Sequence, residues 1–151
     1  MPNHKLKITQ EITIPAILDQ VWDILLNEEK MKHWFEADKF IIDAIEGGKI
    51  EIPISFGNEK VTIEGEIGLV LPKEKFVFTW MERDQYGESW FNNTTVTIKL
   101  EEIKDGTKCT FTHDGFKYLP KDEQEKIFNK YLIFWEKKDI LQRLKALVIN
   151  E

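Results

Sequence analysis

The chain has 151 residues, 42% hydrophobic and 32% charged, with a formal net charge of −6. That length fits one domain, spanning 1–151, whose core needs neither disulfide nor metal to hold it. The acidic balance argues against nucleic acid, where Lys and Arg must neutralise phosphates, and against docking on anionic lipid. Cys109 is the lone cysteine, so no intrachain disulfide can form and a reducing, cytoplasmic compartment is expected. No signal-length apolar stretch opens the chain, and no run approaches the roughly 20 apolar residues of a membrane span.

Leu6, Ile8, Ile12 and Ile14 alternate and predict a first strand, with Gln10 as the exception. Pro15 ends it. Ile17, Val21, Trp22, Leu25 and Leu26 recur at helical spacing, and a second short helix is expected over 28–34. Six strands are then predicted: 40–45; the alternation Ile50, Ile52, Ile54, Phe56; 61–69, curved at Gly65 and Gly68; 75–83; 89–102; and 107–113. Hairpin-length turns make the sheet antiparallel, with one dry face. A final helix is predicted from about Leu119-Pro120 to Ile149 on the stripe Ile127, Tyr131, Phe134, Leu141, Leu144 and Val148, interrupted at Lys138. Phe128, Leu132 and Trp135 give its first half a second apolar face. That face must meet the N-terminal helices, line a cavity, or touch a second copy of the chain in a homodimer.

Ten Phe, five Trp and three Tyr are more ring surface than a small core needs. Trp34, Phe35, Phe78, Trp80, Phe111, Phe116, Phe128, Tyr131 and Trp135 fall on segments that converge, and are the candidates for lining an apolar cavity. Glu82, Asn92 and His113 continue inward parities near strand ends and are the candidate polar groups of its mouth. His113 could bond a ligand or act as a base near neutral pH. Its position at a strand end beside Asp114-Gly115 favours a local anchor. Cys109, mid-strand among apolar positions, reads as an inert thiol with a raised pKa. The histidines His4, His33 and His113 have no zinc-ligand spacing, and Cys109 and His113 would stand about 13 Å apart on one strand, so no metal is expected. No nucleophile elbow, phosphate loop or dinucleotide fingerprint is present, so no cofactor is expected and an enzyme of a standard class is disfavoured.

Several short motifs occur in a consistent order: Ile14-Pro15-Ala16 before Val21-Trp22, Lys32-His33-Trp34-Phe35, Gly47-Gly48, Pro72 with Phe78-Thr79-Trp80, Thr95-Val96-Thr97, Gly106-Thr107, Phe111-Thr112-His113-Asp114-Gly115-Phe116, Trp135 and Leu144-Lys145. Together they resemble the activator of heat-shock-protein-90 ATPase (Aha-type) homologue family of the START-like (SRPBCC) superfamily, over nearly the whole chain. The resemblance implies an α+β helix-grip (START-like, Bet v 1-like) fold, in which a curved antiparallel β-sheet wraps a long C-terminal helix around an elongated cavity. Its members look like binders of lipid-like, polyketide-like or flavonoid-like molecules, stress-response modules and chaperone co-factors. Many relatives carry Gly just before the helix Trp where this chain has Phe134, which implies a narrower cavity or a displaced helix.

The first functional reading is a non-catalytic carrier or sensor for a small hydrophobic, aromatic or lipid-like molecule. The second, carried by the resemblance, is an interaction module that modulates a chaperone ATPase. The third is a cyclase- or hydrolase-like enzyme using His113 or Glu82 as acid or base, although nothing in the sequence activates a nucleophile.

Overall fold

The computed structural model describes residues 6–35 and 39–150. The elements run β1 (Ile8–Ile14), α1 (Leu18–Leu25), α2 (Glu28–Phe35), β2 (Ile41–Ile42), β3 (Lys49–Phe56), β4 (Glu59–Leu71), β5 (Lys75–Asp84), β6 (Thr94–Ile103), β7 (Gly106–Asp114), a 3₁₀ turn (Phe116–Tyr118), α3 (Gln124–Lys138) and α4 (Ile140–Ile149). One seven-stranded sheet has the order β1-β7-β6-β5-β4-β3-β2, antiparallel throughout. β2 to β7 form a meander. The two short helices carry the chain from β1 at one edge to β2 at the other, and β7 returns to pair with β1.

Period-two patterning explains which face is dry. In β5, Phe76, Phe78, Trp80 and Glu82 are buried while the residues between them are half-exposed. Val96, Ile98 and Leu100 in β6, and Cys109, Phe111 and His113 in β7, repeat the rule. The sheet bends where β4 crosses β5. Its register slips between Ile67 and Leu69, leaving Gly68 as the extra residue of a bulge. At Gly65 any Cβ would run into the Thr79 carbonyl, so only glycine lets the two strands approach there.

Four expectations need correction. The strand predicted over 40–45 is only Ile41–Ile42. The strand predicted from Ser89 begins at Thr94; Ser89 makes one isolated bridge to Arg83, and the Trp90 N–H donates to the Glu82 carbonyl. Asn92 therefore lies in a loop, exposed, with its amide donating to the Tyr118 carbonyl, rather than pointing inward. The C-terminal helix starts at Gln124 and is broken at Asp139, which takes a left-handed conformation (φ 50°, ψ 49°). Asp tolerates that conformation better than most residues. The Arg143 Nε donates to the Lys138 carbonyl and satisfies one acceptor freed by the break.

The break divides the labour of the helix. α4 lies close on α1, α2 and β1, whereas the backbone of α3 keeps its distance from the strands. Rings fill the interval: Tyr131, Phe134 and Trp135 reach down from α3, and Phe35, Phe56, Trp80 and Phe111 meet them. Leu132 and Ile133, on the far side of α3, stay exposed.

Candidate functional site

The rings expected to line an interior cavity pack on one another. Trp34 meets Phe35 at 5.8 Å between centroids, Phe78 meets Trp80 at 6.4 Å, and Phe111 meets Trp135 at 4.6 Å. Phe116 stacks against His113 at 4.6 Å and against the half-buried Phe128 at 5.5 Å. These rings pair within the grip, and open space lies beside α3.

Two polar arrangements thread this ring cluster. In the first, the Trp135 Nε1–H donates to His113 Nδ1 at 2.9 Å, and His113 Nε2 lies 2.7 Å from Thr94 Oγ1. The Thr94 hydroxyl donates to the Trp80 carbonyl at 3.0 Å. An indole nitrogen can only donate, so Nδ1 is the acceptor and the proton of the neutral ring sits on Nε2, directed at Thr94. Each side-chain donor in this series of hydrogen bonds has a partner. His113 is wholly buried, and burial pushes its pKa down to about 3, so the ring is neutral at physiological pH. With both nitrogens engaged, it holds β7, β6, β5 and α3 together through side chains rather than through a loop backbone.

The second arrangement sits at the surface end of the same cluster. Glu82, 6% exposed, accepts a short hydrogen bond from the Tyr131 hydroxyl. The ammonium of Lys130 lies 2.8 Å from Glu82 Oε2, 3.9 Å from Glu59 Oε1 and 4.3 Å from the centre of the Phe56 ring. Burial, and then the adjacent Glu82 carboxylate, raise the Tyr131 pKa well above its ordinary value, so the phenol keeps its proton. The Trp80 indole opposes this shift, although its N–H does not reach hydrogen-bonding geometry. Lys130 is the residue that the sequence reading missed. It lies beside the apolar stripe of α3, and the only signal for it was the inward Glu82, which needs a cation once buried.

Of the clefts that flank α3, two reach residues proposed from sequence. One, of about 530 Å³, opens between α3 and the β3–β4 side of the sheet; Phe35, Ile52, Ile54, Val61 and Phe134 give it apolar wall, and Lys138 contributes to its lining. The other, of about 480 Å³, is polar; Glu59, Glu82, Asp84, Glu88, Trp90 and Lys130 are among its lining residues. Of the residues proposed from sequence, Phe35 thus reaches the first cleft and Glu82 the second. Cys109 is fully buried and its thiol is pushed up to about 12 by burial, which leaves it protonated and unreactive. His33 is exposed, and His4 lies outside the described residues. Among the described residues no cluster of three or more His, Cys, Asp or Glu is placed to hold a metal, and no helix is long and apolar enough to cross a membrane.

A curved antiparallel sheet gripping a C-terminal helix, with clefts along that helix, defines a helix-grip protein of the START-like class. Within that class the chain belongs to the family of activator of Hsp90 ATPase homolog 1-like proteins, which it matches over residues 15–134. Solved structures share the fold. A Mesorhizobium loti protein aligns with a TM-score of 0.72 at 17% identity, covering 95% of this chain and 97% of that one. A Nitrosomonas europaea protein aligns with 0.72 at 18%, covering 99% and 97%. A Chromobacterium violaceum protein aligns with 0.69 at 22%, covering 95% and 97%. No curated protein matches the chain significantly.

Proposed function

We propose that this chain is a non-catalytic, cytoplasmic binding protein for a small, largely apolar molecule, held in the cleft between α3 and the β3–β4 side of the sheet. The observation that carries the reading is the cleft itself, about 530 Å³, in which Phe35, Ile52, Ile54, Val61 and Phe134 give apolar wall and Lys60, Arg83, Asp84 and Lys138 add charged groups. That volume suits a small organic ligand. Burying the ligand's apolar area supplies roughly 25 cal/mol per Å², less the cost of ordering it. The internal chemistry supports a binder over an acid–base enzyme. His113 is neutral with both nitrogens occupied, and Glu82 is committed to Tyr131 and Lys130.

Titration of tryptophan fluorescence with flavonoids, fatty acids and polyketides tests this. At least one class is expected to bind, and Ile54→Glu, which places a charge on the cleft wall, is expected to weaken it by about tenfold or more. No response from wild type, or undiminished binding by a folded Ile54→Glu protein, removes the reading.

A second reading, engagement of a chaperone ATPase, has support from the family and from two bare aromatics in the β5–β6 connection, Tyr86 at 81% and Phe91 at 96% exposure. Two bare rings on one connection make that connection the candidate contact surface. Added protein is then expected to raise the ATPase rate of Hsp90, and Phe91→Ser to lose the stimulation. An unchanged rate with wild type removes the second reading.

A further inference from the structure

Among the described residues, two buried side-chain polar atoms have no hydrogen-bond partner: Nε1 of Trp34 and Nε1 of Trp80. Their side chains are 1% and 0% exposed. Around them the other side-chain donors are spent, and the Tyr131 hydroxyl oxygen lies toward the Trp80 indole without completing a hydrogen bond. Trp135 donates to His113, Thr94 to a carbonyl, and Tyr131 to Glu82. A buried N–H without an acceptor gives up its hydration and gains nothing in return, which natural cores rarely tolerate. Two of them in one otherwise satisfied cluster call for a cause.

Their location suggests one. Both indoles flank the same ring, Phe35, with centroids 5.8 Å and 6.1 Å from it. Phe35 is the last residue of α2, and it also forms wall of the apolar cleft. Phe35 is therefore in contact with both the cleft and the two indole rings. Its other ring neighbours are Phe40 and Trp135, in edge contacts whose loss would leave no polar group unpaired.

We propose that the molecule bound in this cleft is a neutral carbonyl compound, an aryl or alkyl ketone or ester, that displaces the Phe35 ring and presents its carbonyl oxygen to the indole N–H of Trp34 or Trp80. The inference rests on the reading of the cleft as a site for an apolar ligand and adds the polar group that this ligand carries. Two neutral donors among rings suit an uncharged acceptor. An ionised carboxylate would hold its charge near Lys60, Arg83 and Lys138 in the cleft lining rather than give up its hydration among the rings. A hydrocarbon would fill the volume and leave the donors idle.

The test uses three probes of one shape: 2-acetylnaphthalene, 2-ethylnaphthalene and 2-naphthoate. Indole N–H resonances of the ¹⁵N-labelled protein are followed during titration, with Trp34→Phe and Trp80→Phe assigning the two peaks. The acetyl compound is expected to bind about tenfold more tightly than the ethyl compound, the yield of about one hydrogen bond to a donor already buried. It should move the Trp34 or Trp80 peak downfield, whereas naphthoate, whose carboxylate has Lys60, Arg83 and Lys138 in the cleft lining to meet, should leave both peaks in place. The preference should vanish in the variant lacking the responding donor, and Phe35→Leu should strengthen binding of the ketone. If a variant fails to fold, the wild-type affinities and peak shifts decide alone. Equal affinity for acetyl and ethyl probes, or ketone binding with both indole peaks unmoved, overturns the carbonyl inference and leaves the apolar cleft standing. Failure of all three probes to bind overturns both.

Discussion

Acidification is expected to destabilise this protein from about pH 6 downwards, with His113 alone contributing about 1.4 kcal/mol per pH unit. The folded protein holds the imidazole neutral, its pKa lowered by burial from 6.5 to about 3. The unfolded chain takes up that proton near 6.5. Between those values the unfolded state binds more protons than the native state, so stability rises with pH across the window and is lost as pH falls through it. The contribution is complete above 6.5 and exhausted near 3. Across the window it sums to about 4–5 kcal/mol, a large share of the roughly 5–15 kcal/mol that holds a domain of this size together.

Other groups also respond to acid. Glu64 has its pKa lowered by its hydrogen bond to Arg83 and gives up that pairing as it protonates. A comparison isolates the histidine. Glutamine at position 113 can accept from Trp135 and donate to Thr94 without titrating. Urea unfolding at steps from pH 7.5 to about 4 should give His113→Gln a shallower slope than wild type, by about 1.4 kcal/mol per unit below pH 6. Parallel slopes for the two proteins would mean that the ring is not held neutral in the fold.

The inward parity of His113 was legible in the sequence, because β7 keeps strict alternation from Thr107 to His113. The same rule placed Phe78, Trp80 and Glu82 correctly along β5. It misplaced Asn92 because parity was carried back through 89–93, where the backbone leaves the ladder. The break at Asp139 was hidden for a related reason. Leu141, Leu144 and Val148 follow Phe134 at helical spacing whether or not the backbone kinks between them, so hydrophobic periodicity passes over the interruption. Lys138 in the stripe and an Asp beside it were the local signs. The ring cluster was legible in its members and not in its volume. Residue types show which rings face inward, but whether they leave a void depends on how far α3 stands from the sheet. The hydrogen bonds from Trp135 through His113 to Thr94 join side chains of three separate elements, and no spacing rule reports them.

Lys130→Met should cost about 2–3 kcal/mol, most of which the second substitution Glu82→Gln should restore. Methionine keeps the length and apolar stem of lysine, so packing on Phe56 and Tyr131 changes little. What disappears is the cation 2.8 Å from a carboxylate that is 6% exposed. Removing one member of a buried ion pair typically costs 3–5 kcal/mol, since the surviving charge is left without compensation. Two features lower the figure here. Lys130 keeps 26% of its side chain exposed, so part of its attraction is screened by water. The Tyr131 hydroxyl also continues to donate to Glu82 after the lysine is gone. Glutamine at 82 removes the charge while keeping an oxygen to accept from Tyr131, so the double variant has no stranded ion. A double-mutant cycle in chemical unfolding should therefore return a coupling of about 1.5–2.5 kcal/mol between positions 82 and 130. That coupling separates the ion pair from the contact with Glu59, 3.9 Å away on an exposed side chain, which should add only a few tenths of a kcal/mol. If Lys130→Met costs less than about 0.5 kcal/mol, water reaches Glu82 in solution and the polar cleft extends down to the Tyr131 hydroxyl.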